Sequence, residues 1–401
     1  MERIFFDNSS TTQVDERVLE AMLPYFRSRF GNPSSLHSFG SEAQDGIEKA
    51  RELAAKAIGA TPEEIFFTSG GTESDNLALQ GTAYARIEEG RHMITSSVEH
   101  HAILHTCEFL ERQGFEVTYL PVDKDGLVDP DALLKVIRKD TVLISIMAAN
   151  NEIGTIQPIE EIGRIARDSG IAFHTDAVQA VTKMDIDVDR DFIDLLSMSA
   201  HKFHGPKGVG ALYLRKGHKL RPMSYGGGQE RGIRPSTENV PGIVGLGEAI
   251  RLSMSDMERT VENMTSMRDK VIEGTISSVE GCHLNGHRTK RLCNNANFRF
   301  DRIDGEALVL NLDYEGIATS TGSACSSRSS ETSHVLKALG LEEKECKGSL
   351  RVTLGRMNTM GEVERYLTTL PQVIKRLRGL APSEVFSMER SEAGTCRTTE
   401  R

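Results

Sequence analysis

Two hydrophobic periods alternate along the chain. Runs that are apolar nearly throughout, such as VLISI at 142–146 and DLLSM at 194–198, are separated by segments whose apolar residues recur every three to four positions. The first pattern predicts strands covered on both faces, and the second predicts the amphipathic helices that cover them. Helices are expected over 41–59, ending at Gly59, and over 72–89, 101–114, 129–139 and 159–170. Strands are expected over 63–69, 92–97, 116–122, 141–149, 171–177, 192–200 and 210–215. Strand and helix in regular succession imply an α/β fold around a mostly parallel sheet.

From Gly242 to about Val279 the pattern is one long helix, with Met254, Met257, Met264 and Met267 on apolar positions as packing. Beyond it, 293–300, 308–320 and 349–356 read as strands and a helix of a smaller α+β unit. The expected organisation is a large domain over 15–257, a small domain made of 1–14 and 258–381, and a polar tail over 382–401. The strip before Asp15 is compatible with either unit. The tail is too rich in Ser, Thr, Glu and Arg to bury much surface.

Composition narrows the class. With 38% apolar and 26% charged residues the chain is globular, and a net charge of −10 offers no field to hold a nucleic acid. No run approaches the roughly 18 to 20 apolar residues of a membrane span, and no secretory leader is visible, so the cytoplasm is the expected location. Six widely spaced cysteines show no metal-finger spacing, which predicts reduced thiols, most of them buried, and no metal site.

Polar clusters follow five successive predicted strands: TSGGTES, SVEHH, ANNEIGTIQP, TDAVQ and SAHKFHGPKG. Ligand sites of open parallel sheets lie beyond the carboxyl ends of the strands, so the five predict one crevice. TSGGTES (68–74) can present amide hydrogens to a phosphate at a helix N-terminus, or can be a glycine turn with Thr72 as N-cap. Lys202, flanked by Ser199, His201 and His204, is either a solvated amine or a desolvated Schiff-base nucleophile. A phosphate cradle with such a lysine points to pyridoxal 5′-phosphate. That cofactor needs a carboxylate at its ring nitrogen, a role open to Asp176, which reads equally as a helix cap. His100 is placed to lie on the ring, or is an ordinary hydrogen-bonded histidine. Residues 319–333 contain ten Ser or Thr among fifteen, so the segment reads as an exposed loop. Its Cys325 is either an incidental thiol or one whose thiolate is favoured by Arg328 nearby.

In order, GNPSSLH, TSGGTESDN, EHHAIL, NNEIG, HTDAVQ, SAHKFHGPKG, GGGQERG and STGSACSS make the chain resemble the cysteine desulfurases of iron–sulfur cluster assembly. These belong to the class V aminotransferase branch of the fold-type I pyridoxal phosphate enzymes. The resemblance runs from the N-terminal FDNSSTT to about residue 356. It implies that Lys202 carries the cofactor, Asp176 pairs with the ring nitrogen, His100 stacks on the ring and Gln179 bonds the phenolic oxygen. Gly71, Thr72, Ser199 and His201 would hold the phosphate, with Thr237 reaching it from the other subunit of a homodimer. Asn151, also placed on the cofactor side, and Arg351 would grip the substrate carboxylate.

The implied reaction converts L-cysteine to L-alanine, with Lys202 or a neighbour moving the Cα proton and the Cys325 thiolate taking the sulfur as a persulfide. The implied acceptor is an iron–sulfur scaffold protein or another thio-cofactor pathway, and Cys325 could also ligate a cluster. One departure is a Pro235–Ser236 pair where the family commonly has Ser–Gly before the threonine. Two rival readings remain at this point: a selenocysteine lyase or other class V enzyme, and a non-enzymatic scaffold that presents Cys325.

Overall fold

The computed structural model describes residues 3–322 and 332–380. The strands are β1 (Ile4–Phe5), β2 (Ile65–Thr68), β3 (His92–Ser96), β4 (Glu116–Leu120), β5 (Thr141–Ser145), β6 (Ala172–Asp176), β7 (Leu195–Ser199), β8 (Gly210–Leu214), β9 (Cys282–Asn285), β10 (Asn295–Phe300), β11 (Ile317–Ala318) and β12 (Ser349–Thr353). Seven of them form one sheet in the order β2-β8-β7-β6-β5-β3-β4. Parallel pairing joins β4 to β3, β3 to β5, β5 to β6 and β6 to β7, whereas β8 is antiparallel to both β7 and β2. Strand β2 therefore runs with the parallel set. The carboxyl ends of β2, β3, β5, β6 and β7 share one edge, where the five polar clusters begin.

Alternation along each strand sorts side chains into two cores. Ile65, Phe67, Ile144 and Leu196 face the core formed with helices α1 (Glu16–Arg27), α2 (Ser38–Lys56) and 240–254. Phe66, Leu143, Leu195 and Leu212 face the opposite core, under α3 (Gly71–Ala85) and α4 (His101–Arg112). Covering on both faces explains why these strands read as unbroken apolar runs.

A separate three-stranded antiparallel sheet, β12-β10-β9, packs with helices 257–278, 305–314 and 360–380 around Phe298, Leu308, Leu350 and Tyr366. The strip before Asp15 touches both parts. Strand β1 pairs in parallel with β11, and Phe6 lies in the smaller core. Farther along, the Thr12 amide donates to the His201 carbonyl at 2.8 Å.

The long helix expected over 242–279 is two helices, Val240–Met254 and Met257–Ser278. The break falls at Ser255–Asp256, where Asp256 leaves helical geometry at φ −146° and serves as the second N-cap position. Short polar side chains favour such ends over helix interiors. The methionine positions divide accordingly: Met264 and Met267 are buried in the smaller core, but Met254 is 39% exposed and is no core residue. Cys107, Cys293 and Cys346 are buried, Cys282 is half-buried, and all four are free thiols.

Candidate active site

Beyond the shared strand edge lies a cavity of about 260 Å³ lined by Gly71, Thr72, His100, Asn151, Asp176, Gln179, Ser199, His201, Lys202 and Arg351, and by residues that sequence reasoning passed over. Strand β7 ends at Ser199, and one 3₁₀ turn over Ala200–Lys202 lifts the lysine into this space. Its Nζ donates to the carbonyl oxygens of Ser9 at 2.6 Å and Ser10 at 2.8 Å. Nothing local in the sequence marks those two acceptors, which are backbone groups some 190 residues away. A second lysine, Lys183, donates from behind to the carbonyls of Gln179 at 3.1 Å and Lys202 at 3.2 Å.

Asp176 ends β6 and is 6% exposed. Burial pushes its carboxyl up to about 6, against the hydrogen bond from the Val178 amide (2.9 Å) and the charge of Lys202. The capping and the cofactor readings are thus compatible, because one oxygen takes the Val178 N–H and the residue still lines the cavity. Beneath it, Asp75 is wholly buried; burial and the nearby Asp176 charge hold its carboxyl well above the usual range. The unpartnered Oδ1 of Asp75 lies 3.7 Å from His174 Nε2. His174 is bracketed by Ser145 Oγ at 2.9 Å and Ser197 Oγ at 3.0 Å, and burial pushes it down to about 3, so it is neutral.

His100 caps α4, its Nδ1 accepting the Ala102 amide at 3.1 Å, which leaves the ring proton on Nε2. Burial, then the charge of Lys202, pushes this imidazole down to about 4. It is a neutral Nε2–H ring lining the cavity. Next to it, burial pushes Glu99 up to about 8 although Ser96 Oγ (2.7 Å) and the Met147 amide (2.9 Å) both donate to it. Asp75 and Glu99 carried a legible signal: charged residues adjoining apolar strands inside ESDN and VEHH.

The anion cradle is built as expected, with one correction. The N-cap of α3 is Gly70, not Thr72, which falls inside the first turn. Gly70 adopts φ 154°, open to glycine and costly for other residues. A Cβ on Gly71 would stand 2.6 Å from Val178 Cγ2, so only glycine lets this helix end pack against the turn after β6. Ser199 and His201 face the same corner, His201 being pushed down to about 4 by burial and by Lys202.

The opposite wall comes from the smaller unit. Arg351, on β12 and 1% exposed, donates to the Asn151 carbonyl at 3.1 Å and to Asp7 Oδ1 at 2.8 Å. Its Nε–H is buried without a partner. A guanidinium held this way presents a donor to an incoming carboxylate.

Two expected site residues are not in this constellation. Thr237 is exposed and does not line the cavity of its own chain. Cys325 lies outside the described residues.

The aminotransferase class-V family model matches residues 4–366. The chain belongs to the class-V aminotransferase family. Among similar members, a cysteine desulfurase IscS of Methanosarcina thermophila is 56% identical over 379 residues, 94% of each chain. One of Dictyoglomus turgidum is 52% identical, over 94% of this chain and 96% of its own. A solved NifS-like protein superposes with a TM-score of 0.88 at 41% identity, covering 93% of this chain and all of its own. The structure of SspA in complex with cysteine superposes at 0.79, with 40% identity over 89% of this chain and all of its own. Both neighbours share the α/β architecture with a mostly parallel sheet.

The site of this class-V chain fits pyridoxal 5′-phosphate on its own geometry. The glycine cradle at α3 suits a phosphate, the Asp176 carboxylate suits a protonated ring nitrogen, and Lys202 has an amine within the cavity. Gln179 Oε1 and Ser9 Oγ are buried without partners, as polar groups around an absent polar ligand would be.

Proposed function

We propose that this chain is a pyridoxal phosphate-dependent cysteine desulfurase that converts L-cysteine to L-alanine and supplies the sulfur to iron–sulfur cluster assembly. The observation that carries the reading is the unpartnered buried Nε–H of Arg351 in the same cavity as Lys202 and Asp176. It gives an α-amino acid its carboxylate anchor opposite the lysine. The similarity to cysteine desulfurases supports cysteine as that amino acid.

Lys202, Gly71, Thr72, Asp176, Gln179, Ser199 and His201 would hold the cofactor, which supplies an electron sink for the carbanion formed at the substrate Cα. The Asp176 carboxylate would pair with the ring nitrogen and hold a proton there. Arg351 and Asn151 orient the substrate so that its Cα hydrogen faces Lys202 Nζ, the group that removes it. His100, neutral with its proton on Nε2, would lie over the cofactor side of the cavity and help shield the site from water. The Cys325 thiolate attacks the substrate sulfur: an S–S bond forms, the C–S bond breaks, and its electron pair remains with the carbon skeleton that leaves as alanine. The two-domain division expected from the pattern, a cytoplasmic location, and a homodimer whose Thr237 completes the partner's phosphate site belong to the same reading. No helix among the described residues is long and apolar enough to cross a membrane.

The test is mass spectrometry after incubation with L-cysteine. A gain of one sulfur on the peptide containing Cys325, with stoichiometric alanine, is expected. Sulfide release at the natural rate by Cys325→Ser overturns the thiol assignment, and failure of borohydride to fix a pyridoxyl group on Lys202 overturns the whole reading.

A further inference from the structure

Strand β2 is an edge of the seven-stranded sheet, so one of its sides meets no strand among the described residues. Side chains cover that side instead. The Phe67 amide donates to Glu230 Oε2 at 2.9 Å, and the Ile65 carbonyl accepts from Arg51 at 2.7 Å and from Arg231 at 2.6 Å. Arg51 also reaches Glu230 through two parallel bonds of 2.9 Å, and both side chains are buried. A bidentate pair of this kind fixes direction as well as distance. The Arg51 guanidinium lies 4.8 Å from the Phe67 ring on one face of the strand, and that of Arg231 lies 4.0 Å from the Phe66 ring on the other.

The segment that supplies Glu230 and Arg231 is held in unfavourable geometry. Both residues occupy the left-handed region, at φ 42° and 55°, and Ser236, which stands where the family commonly has glycine, holds φ 92°. The Ser236 amide closes the segment on Gln229 Oε1 at 3.2 Å. Non-glycine residues stay in such conformations only where their surroundings over-determine them. Two contacts carry the constraint to the anion cradle. Phe67 precedes Thr68, whose hydroxyl meets Ser74 Oγ at 2.8 Å and accepts the Gly70 amide at 3.4 Å. On the other side, Arg234 Nε donates to Glu73 Oε1 at 3.0 Å, and Glu73 Oε2 accepts the Ser69 amide at 2.5 Å. Glu73 stands in the first turn of the helix that would receive a phosphate, where its own charge opposes the ligand. Its two oxygens are engaged with the cradle and with the segment.

We propose that the segment 229–236 is a clamp on the phosphate cradle, with Glu230 and Glu73 as its positioning residues. Glu230 fixes the strand end of the cradle, and Glu73, through Arg234, fixes the helical end. The proposal rests on the reading that this cradle takes the cofactor phosphate. Neither residue lines the cavity, so both act by holding the amides of the Gly70–Gly71 turn in place before the phosphate arrives. Loosening the clamp therefore weakens the grip on pyridoxal 5′-phosphate and leaves pyridoxal, which has no phosphate, unaffected.

The experiment titrates the full chain, freed of cofactor, with pyridoxal 5′-phosphate and with pyridoxal, and reads the absorbance of the bound aldehyde. It compares the natural chain, Glu73→Gln, and Arg51→Met combined with Glu230→Leu. The combined variant removes both buried charges together, so neither is left unpaired. Both variants should bind pyridoxal 5′-phosphate at least fivefold more weakly than the natural chain, and pyridoxal within twofold of it. For Glu73→Gln the sign is decisive, because loss of a negative charge beside an anion site by itself tightens phosphate binding. Unchanged or tighter binding of pyridoxal 5′-phosphate by either variant overturns the proposal. An equal loss for both ligands, as general loss of structure produces, also overturns it. If the combined variant fails to fold, Glu73→Gln still decides, since that side chain is 30% exposed. If the natural chain binds the two ligands equally, the cradle reading itself has failed; if it discriminates and the variants discriminate as well as it does, the clamp alone has failed.

Discussion

The floor and the wall of the cavity are built by different means. The floor consists of Asp176, Ser199 and Lys202 at or just past parallel strand ends, with the amino end of α3 beside them. Each of these residues is placed within a few positions of the strand or helix that carries it. The wall is Arg351, fixed by Asp7 and by the carbonyl of Asn151, 344 and 200 residues away. Burial raises the floor carboxyls of Asp176 and Asp75, so on the proposed reading the floor would govern charge at the reacting atoms. On the proposed reading, the wall would govern recognition through the Arg351 donor left unsatisfied.

Buried arginine is not by itself a recognition group. Arg291, equally hidden, donates to the backbone carbonyls of Ile153, Asn285 and His287, and none of its nitrogens is left unpaired. Burial and the charges of Arg268 and Arg288 push it down to about 9, and its role is to knit the segment carrying Glu152 to the smaller unit. The spare donor, not the burial, distinguishes Arg351.

That contrast can be broken by experiment. Asp176→Asn should lower turnover by about 10³-fold while the cofactor still binds and KM changes little, because preorganised charge acts on the transition state. A rise in KM with unchanged kcat would put Asp176 in recognition and erase the contrast. Arg351→Lys should lower kcat/KM by between about 10- and 100-fold, mainly through KM, since the lysine cannot offer the same fork of donors. Steady-state kinetics with L-cysteine separates the two. Gly71→Ala, which forces a Cβ toward Val178, should weaken cofactor binding about tenfold without changing the KM of the loaded fraction; absorbance titration with pyridoxal phosphate reads this.

The smallest effect is on stability. Glu99 titrates near 8 in the folded chain against 4.5 for the free carboxyl, so between these values the folded state binds more protons than the unfolded one. Stability from this group is therefore lost as pH rises through that window. Glu99→Gln, which removes the titration, should match the natural chain near pH 5 and gain on it by about 1 kcal/mol or more toward pH 8. Urea midpoints at a series of pH values give the comparison, and a difference that does not grow with pH would show that Glu99 is not the carboxyl responsible.

Much of the fold was legible because its signals are local. Unbroken apolar runs gave away strands covered on both faces, and polar clusters after five of them located the crevice. The break at Ser255–Asp256 was missed because the apolar positions continue at helical spacing on both sides, whereas the end is decided by two short polar side chains. The helix α1 was likewise passed over, although Asp15 caps it through the Arg17 amide at 2.9 Å. Thr72 looked like the N-cap from residue type alone. Gly70 takes that place because its backbone adopts φ 154°, which disfavours residues with a Cβ, while the next residue, Gly71, packs against Val178.

From the order of its residues alone, this chain determined its strand–helix succession, the edge of the sheet at which chemistry gathers, and the lysine, acid and glycines of the floor. Those choices depend on interactions spanning a few residues, and a linear pattern records them. Tertiary structure decided that Ser9 and Ser10 hold the lysine, that Arg351 keeps one donor free, and that Glu152 takes the Ser333 hydroxyl. These are meetings of groups far apart along the chain, several of them through backbone atoms common to every residue, so no pattern of side chains announces them.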